Sequence, residues 1–460
     1  MVSSPHLEMV KKYQDYFDKN KEKILEDFFT FLKFQTISAD PAHHKEMKNC
    51  SQWLEKKLEQ AGFFVDVWNQ EKNPILFAEH KTDKKNCPTI LFYHHYDVQP
   101  VDPISLWDSD PFTPVIKNGE IYARGACDNK GQCFYTLCAL KAFLDFGKKE
   151  GINIKVLIEG EEEVGSESII RICEEKPKEL AADYGLIVDL GVPSIYEPAI
   201  TSGFRGIVTF SFECIGSKID LHSGQMGGIA YNPLRALSEV LAKAWDEQGR
   251  VQIEGFYDGV CSKFTQDLYK MDLDPVIDEL GINTLHKEKG FSSLESNWIR
   301  PTFEINGLCG GYYGPGFKTV IPAKATCKVS CRLVLGQDPE KIKKAVISFF
   351  KKHLPKGFEL KVEASHGALA YMADSKTKFA ELVKKSLENA TGKKAGVILA
   401  GGTLPIATSL KEAVGGEVLG MGFGLEDDYI HAPNEHFGLD RLKLGFVTIG
   451  CVLELLAGEL

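Results

Sequence analysis

Several protein classes are excluded by what this chain lacks. No window of its 460 residues approaches the roughly 20 consecutive apolar residues that a membrane-spanning helix needs. The stretch from Met1 to Asn20 is mixed and charged, without the apolar core and cleavage site of a secretory leader. The twelve cysteines are scattered and include no Cys-x-x-Cys pair, which suits reduced thiols better than a disulfide framework or a zinc ribbon. Positive charge is not in excess, and a net charge of −10 argues against a nucleic-acid or anionic-membrane surface. No Gly-rich phosphate loop, Gly-x-Ser-x-Gly elbow or His-Glu-x-x-His helix occurs. These absences predict a cytoplasmic protein with neither nucleic-acid nor membrane partners.

What is present reads as a globular α/β protein. Apolar content of 43% and charged content of 26% are ordinary, and the length predicts about two or three domains. Residues 22–34 place Ile24, Leu25, Phe28, Phe31 and Leu32 at helical spacing. Met47, Cys50, Leu54, Leu58 and Ala61 form a second stripe that Gly62 stops. Apolar or alternating runs at 64–67, 75–78, 89–93, 153–158 and 186–188 read as strands, with helices over 130–144 and about 166–175 among them. Strands alternating with helices predict a mostly parallel sheet.

Near Phe204 the pattern changes. Runs at 207–214 and 324–335 alternate like antiparallel strands with one wet face, the second placing Cys327, Val329, Cys331 and Leu333 on one side. Asn232-Pro233 opens a helix to about Trp245, 339–353 is amphipathic, and 359–363 reads as a strand. This predicts an α+β insert over 204–366 that divides the α/β domain into 1–203 and 367–460. The last part is expected to hold helices at 377–390 and 441–456, with strands from Val397 and at 417–421. Residues 248–300 are mixed, mostly polar, and give no element.

Candidate chemistry concentrates in 89–131. The apolar run from Thr89 to Tyr93 reads as a buried strand whose exit carries His94, His95, Tyr96 and Asp97. A His and an acid two residues apart point to one side of a sheet, so His95 pairs with Asp97 and His94 faces away. An acid so placed can orient the ring, as carboxylates do behind metal-bound histidines, although a solvated strand exit would look the same. Three further acidic groups share this context: Asp128 before a helix, Glu161-Glu-Glu163 after 156–158, and Asp189 after 186–188. Ligands of open α/β sheets bind at the carboxyl ends of the strands. So many acids in one crevice require cations. Imidazole and carboxylates without thiolate suit zinc, manganese or cobalt in a catalytic site. Two such ions about 3.5–4 Å apart make a hydrolytic centre.

Six motifs then follow in register: His95-Tyr-Asp97-Val-Gln-Pro100, the stretch from Arg124 to Gly131, Glu159-Gly-Glu-Glu-Glu-Val-Gly-Ser166, Asp220-Leu-His-Ser-Gly224, Lys318-Thr-Val-Ile-Pro322 and His431-Ala-Pro-Asn-Glu435. Together they resemble the dinuclear metallopeptidase family of carnosinase, cytosolic non-specific dipeptidase, carboxypeptidase G, succinyl-diaminopimelate desuccinylase and aminoacylase. The spacing and the long insert look most like its dipeptidase branch. The resemblance implies that His95, Asp128 and Asp189 hold one divalent ion and that Asp128, Glu163 and His431 hold a second. The ions would be zinc or manganese, with cobalt possible. Glu162 would be the general base, Asp97 would orient His95, and the Asp128-Asn129 peptide would be cis. The insert would be a lid that also forms a homodimer, with His222 reaching the other subunit's site to help bind the developing oxyanion and Thr319 acting similarly. Arg332 would grip a substrate's C-terminal carboxylate, and His366, Gly402 and Thr403 would line the rest of the pocket. The implied substrate is a small peptide; deacylation of N-acyl amino acids at the same centre, or a catalytically silent relative, are the alternatives. One departure stands out: many dipeptidase relatives carry Arg-Glu before the Gly-Gly turn, and this chain has Leu399-Ala400.

Overall fold

The apolar run beginning at Thr89 becomes the strand Thr89–His95, inside a nine-stranded sheet. Ile90 and Phe92 enter one core cluster, Leu91 and Tyr93 another, so the strand is buried on both faces. That is why it reads as a continuous run rather than an alternating one. It pairs in parallel with Asn153–Glu159 on one side and Ala182–Gly191 on the other, and Gly415–Gly424 extends this parallel block. A computed structural model supplies these coordinates and describes residues 5–69, 73–147, 151–261, 277 and 281–458.

The centre of the sheet is parallel, as the alternation of strands and helices predicts. Its edges are antiparallel. Phe64–Trp68 pairs with Ile75–His80 across a connection too short for a parallel crossover. At the other edge Ala199–Phe204 pairs antiparallel with Tyr371–Met372 and parallel with Gly396–Ala400. Helices Pro5–Leu32, His44–Gln60, Lys130–Asp145, Lys378–Thr391 and Leu439–Gly458 cover one face; Glu167–Glu175 and Ile406–Val414 cover the other. The first helix is longer than its stripe at 22–34 suggested. Val10, Tyr13 and Phe17 continue the buried face N-terminally, and the polar run from Asn20 to Lys23 hides that continuity. The strand Ala199–Phe204 gave no clear signal because Ser202 and Gly203, which are poor strand formers, interrupt it, yet all six positions are buried.

A second, four-stranded antiparallel sheet has the order Thr302–Gly310, Lys324–Leu333, Gly206–Ile215 and Glu359–Ala364. Its inner face, including Phe212, Cys327 and Val329, packs on the helices Pro233–Ala242 and Pro339–His353, with the Phe212 and Phe350 rings stacked at 3.8 Å. The first of these helices opens as expected, Asn232 accepting from the Leu234 amide, but ends at Ala242 rather than near Trp245. Within 248–300, residues 262–276 and 278–280 lie outside the described residues, and Ser293–Trp298 is a helix with a Ser292–Glu295 capping box. A small three-stranded sheet joins His436–Gly438 to Glu120–Tyr122 and Val115–Lys117. It anchors the segment that follows His431. Among the described residues, no helix is long and apolar enough to cross a membrane.

Candidate metal centre

Parallel strands deliver their C-terminal ends to one place. His95 is the last residue of Thr89–His95. The strand Asn153–Glu159 leads into a helical turn, Glu162–Val164, and Ala182–Gly191 carries Asp189 near its exit. Asp128 precedes the helix Lys130–Asp145 across a cis Asp128-Asn129 peptide, and His431 stands in a loop at φ 65° beyond Gly415–Gly424.

The distances divide these residues into two overlapping groups. His95 Nε2 lies 3.0 Å from Asp128 Oδ1 and 3.4 Å from Asp189 Oδ1. His431 Nε2 lies 2.9 Å from Asp128 Oδ2 and 3.2 Å from Glu163 Oε2. The two oxygens of Asp128 therefore face different imidazoles. In each group, His95–Asp128–Asp189 and Asp128–Glu163–His431, the donor atoms lie within 4.8 Å of one another. Glu162 sits on the same turn as Glu163, and its carboxylate makes no hydrogen bond or ion pair among the described residues.

Buried acceptors behind these groups fix them. Asp97 Oδ1 is 3.3 Å from His95 Nδ1, and its two oxygens accept from the backbone amides of Glu162 at 3.2 Å and Glu163 at 3.1 Å. Asp97 thus engages the inner nitrogen of His95, through its carbonyl at 3.1 Å as well as its carboxylate, leaving Nε2 to face the acids, and its carboxylate also sets the turn that carries both glutamates. Asn129 donates to the Val188 carbonyl at 2.8 Å and faces His94 Nδ1 at 3.3 Å. His94 is turned away from the acids, and burial pushes its pKa down to about 3. Gln99 donates to Glu163 at 2.8 Å. Glu161 accepts instead from the Ser168 amide at 3.0 Å, at the start of the helix Glu167–Glu175.

Glu435 is the residue that sequence reasoning left without a role. It is 1% exposed. Oε1 accepts from the amides of Cys127 and Asp128, both at 3.0 Å, and Oε2 from the Gly125 amide at 2.8 Å and Arg124 Nη1 at 2.9 Å. A single carboxylate therefore binds the loop of Asp128 to the loop of His431. The only signal for it was its place at the end of the His431 motif.

Charge at the centre is unbalanced. Burial pushes Glu162 well above the carboxylate range, with His95 opposing and Asp189 and Asp128 adding to the rise. Burial, then Asp128, raises Glu163 to about 7, and burial raises Asp189. Asp128 goes the other way: burial favours its protonation, but hydrogen bonds from His431 and His95 hold it below its ordinary value. Burial alone would lower His95, yet Asp189 and Asp128 lift it well above the usual imidazole range. Its hydrogen bonds to Asp128 and Glu163 lift His431 to about 10. The two imidazoles are the groups that face this crowd of carboxylates. Divalent cations would offset its charge, and the donors fit them: nitrogen and oxygen only, three to a group, with one carboxylate in common. A third group with similar spacing, Glu120, Asp428 and His436, already contains a cation: Arg441 bonds to Asp428 and lies 2.9 Å from Glu120.

Of the expected substrate residues, Arg332 and Thr403 meet, Arg332 Nη1 donating to Thr403 Oγ1 at 2.6 Å across the two sheets. The Gly402 carbonyl accepts from the Arg205 amide at 3.0 Å. His222 pairs with Val320 on a two-residue ladder, and Thr319 lies just before it, its carbonyl accepting from the Ser223 amide at 3.0 Å. Both are exposed, as is His366. Among the described residues no hydrogen bond or ion pair joins any of these six to the metal-ligand groups.

Known proteins share this architecture. The Cys-Gly metallodipeptidase of Schizosaccharomyces pombe is 27% identical over 459 residues, covering 94% of this chain and 95% of that protein. The crystal structure of human carnosine dipeptidase 1 superposes with a TM-score of 0.83 at 26% identity, covering 98% of this chain and 99% of that one. An M20 family metallo-carboxypeptidase from Sulfolobus solfataricus has a TM-score of 0.84 at 30% identity, covering 94% of this chain and 99% of that one. The profile described as peptidase family M20/M25/M40 matches residues 91–454. With the sheet, the converging strand exits and a match across most of its length, the chain belongs to the M20/M25/M40 family of metal-dependent peptidases.

Proposed function

We propose that this chain is a two-metal dipeptidase acting on small peptides with a free C-terminal carboxylate. The observation that carries this reading is Asp128, whose two oxygens lie 3.0 and 2.9 Å from the Nε2 atoms of His95 and His431. His95, Asp128 and Asp189 would hold one ion and Asp128, Glu163 and His431 the other, zinc or manganese by donor type, with cobalt possible. Bound there, divalent ions supply Lewis acidity, polarising a carbonyl and acidifying a water.

The chain's own groups do the rest. Glu162, whose carboxylate has no partner among the described residues and is raised by burial, takes the attacking water's proton and returns it to the leaving amine. Asp97 keeps His95 and the Glu162 turn in place. The Arg332 fork, presented beside Thr403, suits a carboxylate, and His366 and Gly402 complete that wall. His222 of the partner subunit, with Thr319, would donate to the developing oxyanion in a homodimer. Exposed apolar residues around the lid support such a dimer, among them Ile229 at 77%, Tyr313 at 89% and Phe317 at 101% exposure, as does the edge strand Thr302–Gly310. Eight of the twelve cysteines are buried, which supports a reducing, cytoplasmic setting.

Deacylation of N-acyl amino acids is the second reading, favoured by Leu399-Ala400, an apolar pair where many dipeptidase relatives present charge. Dipeptides assayed beside N-acetyl and N-succinyl amino acids, with zinc or manganese restored, separate the two. Glu162→Ala is expected to abolish turnover while metal content stays near about two per subunit. Turnover like that of the unaltered protein would refute the role of Glu162, and no hydrolysis of any panel member would refute the enzyme reading.

A further inference from the structure

Behind the Gly401–Thr403 turn lies a cavity of about 130 Å³ that the proposed reaction does not use. It sits where the chain passes between the two sheets. On the way out, Ala199–Phe204 runs through Arg205 into Gly206–Ile215; on the way back, Tyr371–Met372 pairs with Phe204 and Gly203. Trp298, Leu335, Met372 and Leu399 supply apolar wall, and among the described lining residues Arg205 is the one charged side chain.

Arg205 is in an unusual position for an arginine. It is 8% exposed. Its Nε donates to the Gly401 carbonyl at 2.6 Å and Nη1 to the Arg300 carbonyl at 3.5 Å, while Nη2 has no partner among the described residues. Glu304 is near enough to act on it through charge, but no carboxylate among the described residues makes a hydrogen bond or ion pair with it. Burial, then the charge of Arg332, pushes its pKa down to about 10. A guanidinium withdrawn from water is costly unless an anion meets it. Leu399 and Ala400 line this same cavity.

The geometry points to a binding site for a short apolar monocarboxylate, its carboxylate on Arg205 and its hydrocarbon part against Trp298, Leu335, Met372 and Leu399. The volume resembles the roughly 150 Å³ of an apolar cavity that admits benzene, so one ring or a chain of about five or six carbons is the right size. An amino acid fits worse, because no described lining residue is acidic to receive its ammonium. The site is separate from the proposed contact of a substrate carboxylate with Arg332.

Calorimetry on the full-length, metal-loaded protein with hexanoate, benzoate, 1-hexanol and leucine tests this. Hexanoate or benzoate is expected to saturate one site, with 1-hexanol and leucine at least about tenfold weaker. Arg205→Met should weaken the carboxylate at least about tenfold, and Arg332→Ala should leave it unchanged. Leu335→Trp, at a half-exposed position on the rim, should block entry without disturbing the core; if Arg205→Met does not fold, this variant decides by the same criterion. Saturation by neither acid, equal binding of 1-hexanol or leucine, retention by a folded Arg205→Met or by Leu335→Trp, or loss in Arg332→Ala would each overturn the proposal.

Discussion

Removing the Glu435 side chain tests how the centre is held together. Its carboxylate accepts four hydrogen bonds, three from the amides of Gly125, Cys127 and Asp128 and one from Arg124. Arg124 is 1% exposed, and among the described residues its other side-chain hydrogen bond is to the Pro100 carbonyl at 2.9 Å. Breaking a buried ion pair by deleting one partner costs about 3–5 kcal/mol. Each orphaned buried amide adds about 1–3 kcal/mol, but the truncated side chain leaves room for water to recover much of that. Glu435→Ala is therefore expected to destabilise the metal-free protein by about 5 kcal/mol, against a whole-fold stability of about 5–15 kcal/mol. Glu435→Gln keeps the volume and one strong acceptor, so it should cost about half as much. Glu426→Ala, an exposed acid on the same stretch, should stay within about 0.5 kcal/mol. Denaturant midpoints at constant m-value measure all three. Combining Arg124→Ala with Glu435→Ala in a double-mutant cycle separates the ion pair from the amide clamp. If Glu435→Ala lies within about 1 kcal/mol of the unaltered protein, the carboxylate does not hold these loops and the reasoning fails.

Three further outcomes are expected. Arg332→Ala should lower kcat/KM for dipeptides about 10–100-fold, mainly through KM, and should remove the preference for a free carboxylate over a C-terminal amide; unchanged discrimination would release Arg332 from that role. If His222 works across a dimer, inactive Glu162→Ala and inactive His222→Ala subunits mixed one to one should regain roughly a quarter of full activity, since only mixed dimers carry one intact site. No recovery after verified subunit exchange would place His222 elsewhere. Glu159 accepts from Tyr93 at 2.5 Å and Ser166 at 2.9 Å, and burial raises it from 4.5 to about 8. Its folded-state pKa lies above its unfolded one, so the stability it contributes is complete below about pH 4.5 and is lost as pH rises through about 8. Gln cannot ionise, so in metal-free protein Glu159→Gln should gain on the parent with rising pH, by on the order of a few kcal/mol above pH 8. A difference that stays flat between about pH 5 and 9 would contradict this.

The parts of the candidate centre next to strands and helices were legible in the sequence, and those in the long loop after Gly415–Gly424 were not. His95 and Asp189 end runs of buried apolar residues, and a period of two settles which side His95 takes. Asp128 could be placed because a helix follows it directly. His431 had no such support: it occupies a left-handed loop position far from the other ligands in sequence, and only the family motif singled it out. Glu435 was less visible still. A buried acid in a loop has the same letter and the same polar neighbours as an exposed one, and what distinguishes it is the set of amides it meets some 307 to 310 residues away. The helix Ile406–Val414 escaped notice too, since it starts on Pro405 at its cap and ends at Gly415 within a stretch that reads as turn.

These hidden residues follow from the electrostatics of the proposed ligands. Carboxylates gathered around one volume repel each other and cannot hold their own positions. Fixing them falls to hydrogen-bonding groups that face away from that volume. Asp97 joins the exit of Thr89–His95 to the turn of Glu162 and Glu163, Asn129 joins the Asp128 loop to Val188 beside Asp189, and Glu435 joins that same loop to the segment of His431. Each link pairs groups from different strand exits, and all three linking residues are buried. The pattern makes a directional claim. Loss of a proposed ligand such as Asp189 removes a carboxylate that burial disfavours as well as a partner of His95, so the metal-free fold should change little while metal binding is lost. Loss of Glu435 or Asp97 should weaken the metal-free fold itself. Stability measured without metal therefore sorts residues that hold the ions from residues that hold the residues.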